Sequence, residues 1–366
     1  MFDDQSLRSL RDSIAAGRPL TGPLDLQLLP TSRCNAACAF CPLVSIPEEI
    51  TPPRFQNRNE ELSGGLLDRL ADDLYHLGGL RRVTITGGEP LLFPQIIPAI
   101  FQLTRCFNQV ELTLVTNGIR LKKFAGIIVA AGVHQLSVSL NAGTAESYRK
   151  QNPAAGPDAF DEIVAGLETL AAERKGRAAP GPRVGLSVVL TEASAADVGP
   201  LFELARRTGV GAVTFIPLME IMLAGRLINR DLAATPESLS RFFHDLGKYS
   251  EQARAEGFWL GYAGTPRDQG VIDNHGAFAE QPCFTGYTFA AVYPNGDVRP
   301  CCHCEPVMGN LKEQSFGELW QGEKFQEFRR RALAIGPEGM DGCLCRECGY
   351  LYENREFAQR LKQVKP

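Results

Sequence analysis

Apolar and polar positions follow two rhythms along this chain. Between residues 24 and 218, short β-branched or Leu-rich runs recur at 24–29, 82–86, 110–116, 135–140, 183–190 and 212–218, each bounded by Gly, Pro or Asn. Runs of this length and composition read as strands. Between them, residues 66–78, 93–106, 124–132, 160–173 and 198–209 space their apolar positions three and four apart, the pattern of helices that bury one face. Strand then helix, repeated six times, predicts a parallel sheet with right-handed crossovers and helices on its outer face. The expected fold is α/β: a partial, TIM-like (β/α)6 barrel. In such architectures ligands bind at the carboxyl ends of the strands. Those ends carry Cys34, then Gly87-Gly88-Glu89-Pro90, then Thr116-Asn117-Gly118, then Ser139 to Asn141.

The rhythm changes after residue 218. Residues 219–234 read as a connecting loop, and Thr235 with Pro236 marks the start of a helix running to about residue 255. Residues 288–304 alternate as a β-hairpin with Pro294-Asn295-Gly296-Asp297 as its turn. Ser315 and Glu318 form a capping box that opens a further helix. The expected division is an N-terminal segment 1–23, a barrel 24–234, a connecting helix and loop 235–280, and a small extension 281–366 built on the hairpin and helix.

Composition narrows the function. With 44% apolar and 22% charged residues and a net charge of −4, the chain is globular and has no basic footprint for nucleic acid. No apolar run reaches the length of a membrane span. Residues 1–20 lack the apolar core of a signal peptide, so a cytoplasmic location is expected. Of eleven cysteines, all but Cys106 lie within 34–41 or 283–348. Clustering of this kind points to metal rather than to a disulfide scaffold. Cys106, at the end of a helical pattern, is expected to be a small buried residue.

Cys34, Cys38 and Cys41 form C-x3-C-x2-C on the loop after the first strand. Thiolates suit iron–sulfur clusters and zinc. A structural zinc site asks for four protein ligands, and only three are present here. A [4Fe–4S] cluster held by three thiolates keeps one iron open to a chelating molecule. This motif, with Phe40 as the aromatic before its last cysteine, resembles the radical S-adenosylmethionine (radical SAM) superfamily over about residues 24–218. The resemblance implies a SAM-binding cluster on the three cysteines and Phe40 near the adenine. It implies that Gly87, Gly88, Glu89 and Pro90 form the family's GGEP loop, with Glu89 accepting from the methionine ammonium. Thr116 and Asn117 match its TNG element, Ser139 a ribose contact and Arg149 a carboxylate contact. The implied chemistry is one-electron cleavage of SAM to a 5′-deoxyadenosyl radical that abstracts a substrate hydrogen, fed by a flavodoxin- or ferredoxin-type donor.

The C-terminal cysteines read C-x12-G-x4-C from Cys283 to Cys301, followed by Cys345-x2-Cys348. The hairpin turn brings the first pair together and the second pair completes four thiolates. The arrangement resembles the Twitch form of the SPASM extension over about residues 283–348. It implies one auxiliary [4Fe–4S] cluster on Cys283, Cys301, Cys345 and Cys348; a four-cysteine zinc site is the competing reading by ligand count. Cys302, Cys304 and Cys343 are left over, and Cys304 is a candidate hydrogen-atom donor. The expected reaction is dehydrogenation or epimerisation of a small molecule such as a sugar or aminocyclitol. The alternatives are maturation of a peptide presented by a separate protein, and a non-catalytic iron–sulfur or zinc scaffold. The loop 43–63 is a candidate lid, with Arg54, Asn57, Asn59 and Glu60, and beyond the sixth strand Glu220 and Arg226, as rim positions.

Overall fold

A computed structural model describes residues 3–363 apart from 46–58, 108, 177–180, 220–221, 224–225, 228, 265–273 and 275. Arg54, Asn57 and Glu220, and most of the candidate lid, lie outside the described residues, as does the side chain of Arg226.

Each of the six expected strands is present: β1 (Asp25–Leu28), β2 (Arg82–Ile85), β3 (Glu111–Thr116), β4 (Gln135–Ser139), β5 (Arg183–Leu190) and β6 (Ala212–Pro217). Four more join the same sheet: β7 (Trp259–Tyr262), β8 (Phe289–Val292), β9 (Asp297–Arg299) and β10 (Gly309–Asn310). The sheet order is β10-β9-β8-β1-β2-β3-β4-β5-β6-β7. All neighbours from β8 through β1 to β7 run parallel, and β9 and β10 add antiparallel pairs. The six-unit barrel is therefore extended by one parallel strand at each side. On one side stands β7, from a stretch read as connection because its four residues, WLGY, carry no alternation. On the other stands β8, the first arm of the C-terminal hairpin.

Two faces of this sheet differ. Val83, Ile85, Leu112, Leu114, Val138 and Phe215 are sealed beneath the helices α2 (Gly64–Leu77), α3 (Ile96–Cys106), α4 (Leu121–Ala130), α5 (Ala145–Gln151), α6 (Ala159–Lys175), α7 (Val198–Thr208) and α8 (Pro236–Ala255). The alternate positions, among them Thr113, Ser137, Ser187, Val189 and Ile216, stay half-buried. The period of two along each strand produces this split. It leaves an inner face open to a ligand.

The helix starts follow local chemistry. Ser63 and Thr235 accept from Leu66 N–H and Ser238 N–H, and Pro236 occupies the first turn, where its missing N–H costs nothing. Gly296, at φ 92°, makes the hairpin turn. Cys106 closes α3 and is exposed, not buried as its apolar neighbourhood suggested; it falls on the outward side of the last turn.

The N- and C-terminal regions are bound into the barrel. The first helix, α1 (Asp4–Ala15), is capped by Asp3, buries Leu7 and Leu10, and packs on the last helix, α12 (Leu351–Leu361), which follows α9 (Thr285–Thr288), α10 (Phe316–Gln321) and α11 (Glu323–Leu333). Trp320 Nε1 donates to Thr21 O at 2.9 Å, and Phe316 N–H to Asp73 at 2.6 Å. Buried Asp25 of β1 accepts from Arg82 of β2, and Arg82 also reaches Glu353 of α12 at 3.4 Å. Arg329 is buried and has no carboxylate partner among the described residues. It donates to Gly286 O at 2.6 Å and Trp320 O at 2.7 Å, with its guanidinium carbon 4.6 Å from the Trp320 ring centroid. Burial draws its pKa down to about 10.

Candidate functional site

Three loops meet at the carboxyl ends of β1, β2 and β3. Gly88 N–H donates to Thr31 O at 2.9 Å and Glu89 N–H to Arg33 O at 2.7 Å, so the glycine loop lies against the backbone just before Cys34. A Cβ on Gly88 would stand 2.2 Å from Arg33 O, and one on Gly87 2.8 Å from Thr31 O, with Gly87 also at φ 119°. Both positions require glycine. Asn117 spans the next gap, its amide donating to Asn35 Oδ1 at 2.8 Å and approaching Cys34 Sγ at 3.7 Å. From the far side Thr31 and Arg33 contact Glu61, and Ser32 pairs with Glu60.

Glu89 links two of these loops. It is 0% exposed, and its carboxylate accepts from Leu91 N–H (2.9 Å), Thr116 Oγ1–H (2.7 Å) and Asn117 N–H (2.6 Å). Burial pushes its pKa up, and these donors together with Arg120 oppose the shift. The side chain is thus enclosed as a brace between the glycine loop and the Thr116-Asn117-Gly118 turn. Pro90 follows at the start of a short 3-10 turn that Glu89 itself caps.

Ser139 ends β4 on the half-buried face, and its carbonyl accepts from Asn141 at 3.4 Å. Asn141 is the non-glycine residue with positive φ (58°) among the described residues. Its Oδ1 takes Val189 N–H at 2.8 Å, tying β4 to β5, and its carbonyl accepts from Gln151. Arg149 is exposed on α5, with no hydrogen bond or ion pair among the described residues.

The first cysteine set fits a cluster. Cys34 is exposed, and Cys38 and Cys41 are half-buried. Burial, and then the neighbouring Cys41 and Cys34, push the Cys38 thiol up to about 12. Three thiols this close hold their protons unless iron displaces them. Cys34 Sγ accepts from Ala36 N–H at 3.4 Å, and Cys41 N–H turns back to Cys38 O at 3.0 Å.

The second set is gathered in the same manner. Cys283, Cys301 and Cys348 are buried and Cys345 half-buried. Burial raises the Cys348 thiol first, followed by Cys301, Cys283 and Cys345, so the four share one neighbourhood. Cys301 Sγ accepts from His303 N–H at 3.4 Å, Cys345 Sγ from Met340 N–H at 3.5 Å, and Cys283 Sγ lies 3.2 Å from Thr285 Oγ1. Such hydrogen bonds to sulfur tune cluster potentials. Among the described residues no three ligand-type side chains converge on one point as around a single ion; a cubane spreads its thiolates over separate irons.

Cys304 does not stand as a free donor. It is 2% exposed and disulfide-bonded to Cys343. Glu305 N–H to Gly342 O (2.7 Å) and Leu344 N–H to His303 O (2.8 Å) flank the bond. A sulfur in a disulfide has no hydrogen atom to give, so the donor role expected of Cys304 is withdrawn for this state. Cys302 remains a free, half-buried thiol.

A cavity of about 1140 Å³ joins the two sets. Phe40 and Cys41, Val189 and Ile216 of the inner sheet face, and His303 and Cys348 all line it. Motif reading found Phe40 and the cysteines. It missed Gln281, Tyr352 and Arg355, which also line the cavity but stand at no motif position.

Comparison with known proteins agrees with this geometry. The radical SAM superfamily matches residues 28–205, and an iron–sulfur cluster-binding domain, SPASM, matches residues 283–349. The AdoMet-dependent heme synthase of Methanosarcina barkeri is 28% identical over 347 residues, covering 87% of this chain and 86% of that protein. A GTP 3′,8-cyclase of Staphylococcus carnosus is 35% identical over 138 residues, covering 37% of this chain and 38% of the cyclase. The chain thus aligns with well under half of that cyclase. Streptococcus suis SuiB bound to S-adenosylmethionine superposes with a TM-score of 0.62 at 17% identity, covering 89% of this chain and 72% of SuiB, a likeness of fold. The chain belongs to the radical SAM superfamily, with a SPASM domain and, as cofactors, S-adenosylmethionine, the [4Fe–4S] cluster that binds it and an auxiliary cluster.

Proposed function

We propose that this enzyme oxidises a small molecule held between its two clusters. The observation that carries the reading is the cavity whose lining includes both Cys41 and Cys348. With Cys34, Cys38 and Cys41 as ligands of the SAM-binding cluster and Cys283, Cys301, Cys345 and Cys348 as ligands of the auxiliary one, a substrate in this space faces both. The cofactors supply a 5′-deoxyadenosyl radical and an acceptor for one electron. Held by these cysteines, the two groups would together take one hydrogen atom and one further electron from the substrate, with the accompanying proton left to solvent, the balance of a two-electron oxidation.

The chain's own residues position the reaction. Gly87 and Gly88 allow the SAM-facing loop to approach the cysteine loop, and Glu89 holds it against Thr116 and Asn117. Phe40 offers an aromatic face beside Cys41. The sheet supplies Val189 and Ile216 as a water-poor wall. Dehydrogenation is favoured over epimerisation because Cys304 is tied to Cys343. The largely apolar lining suits a substrate with an apolar body better than the polyols first expected. Similarity to a heme synthase over 87% of the chain favours a metabolite over a peptide.

The test is anaerobic turnover of the reconstituted enzyme with SAM, reductant and candidate substrates. One 5′-deoxyadenosine per product lighter by two hydrogens is expected. Unoxidised product carrying solvent deuterium would point to epimerisation instead.

A further inference from the structure

Two polar side chains close on the sulfur of Cys283. Thr285, the first residue of α9, and Asn354 of α12 are 1% and 0% exposed, so water does not compete for either. Thr285 Oγ1 lies 3.2 Å from Cys283 Sγ, and Asn354 Nδ2 points at the same sulfur from 4.0 Å. Asn354 Oδ1 accepts from Phe284 N–H at 2.8 Å. That bond identifies the amide oxygen and turns the NH2 group toward Cys283. Neither the hydroxyl nor the NH2 has another hydrogen-bond partner among the described residues. Cys301 and Cys345 instead accept from the backbone N–H groups of His303 and Met340. At Cys283 the donors are side chains, placed there by two separate helices.

A buried hydroxyl and a buried amide are costly without a good acceptor, and a neutral thiol is a weak one. A thiolate held by iron is a charged acceptor that matches both. Resting on the two-cluster reading, we infer that Thr285 and Asn354 are positioning residues that raise the reduction potential of the auxiliary centre through the Cys283 sulfur. The second cysteine set has four thiolates to the first set's three, and Cys283, Cys301 and Cys348 are buried. Net charge and burial both resist an added electron there. The hydroxyl and the amide oppose that resistance, because their hydrogen bonds strengthen as negative charge on the sulfur grows. Exclusion of water lowers the local dielectric and enlarges the effect. The outcome suits a centre that accepts the substrate's second electron.

The experiment uses the full chain carrying C34A/C38A/C41A, reconstituted anaerobically so that the second cysteine set alone holds iron. The midpoint potential is read by EPR during a redox titration. T285V, which keeps the side-chain shape and removes the hydroxyl, is expected to lower the reduction equilibrium constant about tenfold, about 59 mV for a one-electron couple. T285S keeps the hydroxyl and should stay at the parent value. N354L should shift the potential in the same direction as T285V, and the double variant further than either. N354L also strips Phe284 N–H of its acceptor, so the T285V and T285S pair decides the matter if N354L loads no iron. An unchanged or raised potential in T285V, the same shift in T285S, or loss of iron from T285V each overturns the inference. Absence of iron from the C34A/C38A/C41A parent counts instead against the two-cluster reading on which it rests.

Discussion

Glu89 and Asn117 lie on different strand ends, and the backbone N–H of Asn117 donates to Glu89 Oε2 at 2.6 Å. Through this bond the buried carboxylate sets the turn whose amide reaches toward Cys34. The E89Q variant separates bracing from direct ligand contact. A glutamine amide presents an NH2 to one of three donors, leaving a buried N–H or hydroxyl unpaired. A loss of about 1–3 kcal/mol in urea unfolding is expected, together with weaker SAM binding. Weaker SAM binding with unchanged stability would support the direct contact.

Gly88 is the position least able to accept a side chain. A Cβ there meets the carbonyl and backbone of Arg33 and Ser32, not the end of a flexible chain. G88A should displace the loop that carries Cys34 and lower iron content by about four atoms per chain while the auxiliary cluster remains. Iron and sulfide analysis after anaerobic reconstitution checks this; wild-type loading would show that the loop yields.

The disulfide gives a prediction for the leftover thiols. C304A should still support 5′-deoxyadenosine formation and substrate oxidation, because Cys304 is paired with Cys343 and supplies no hydrogen atom. Differential alkylation with mass spectrometry should find Cys304 and Cys343 protected while Cys302 reacts. Arrest of turnover in C304A, after radical formation, would reinstate the donor role.

Arg329 tests how the C-terminal region is held. R329M leaves the carbonyls of Gly286 and Trp320 without their donor and removes the cation from the Trp320 ring. A loss of about 2–3 kcal/mol is expected in denaturant unfolding of the holoenzyme, with R329K recovering only part, since one ammonium does not reproduce the planar fork. Wild-type stability in R329M would mean that burying the charge costs as much as its hydrogen bonds return.

Much of this was legible in the chain. The six strands showed themselves because each carries an uninterrupted β-branched or Leu-rich run. Thr235, Pro236, Ser315 and Glu318 marked helix starts because capping is local chemistry. The four-residue β7 is too short to show a period, and β8 gave no sign that it would join the barrel beside β1, because strand partners are set by tertiary packing. Glu89 was found by motif: its position shows in the sequence, but its enclosure by Leu91, Thr116 and Asn117 is a matter of geometry. Gln281 and Arg355 were invisible for a related reason. They reach one cavity from different elements of the C-terminal region, and no spacing joins them.

The most direct measurement of the two-cluster arrangement is iron and sulfide content after anaerobic reconstitution, in the wild type and in C34A/C38A/C41A. About eight irons per chain are expected in the wild type and about four in the triple variant, with the remaining signal lost when C283A is added. About four irons in the wild type and none in the triple variant would mean that Cys283, Cys301, Cys345 and Cys348 hold no iron–sulfur cluster.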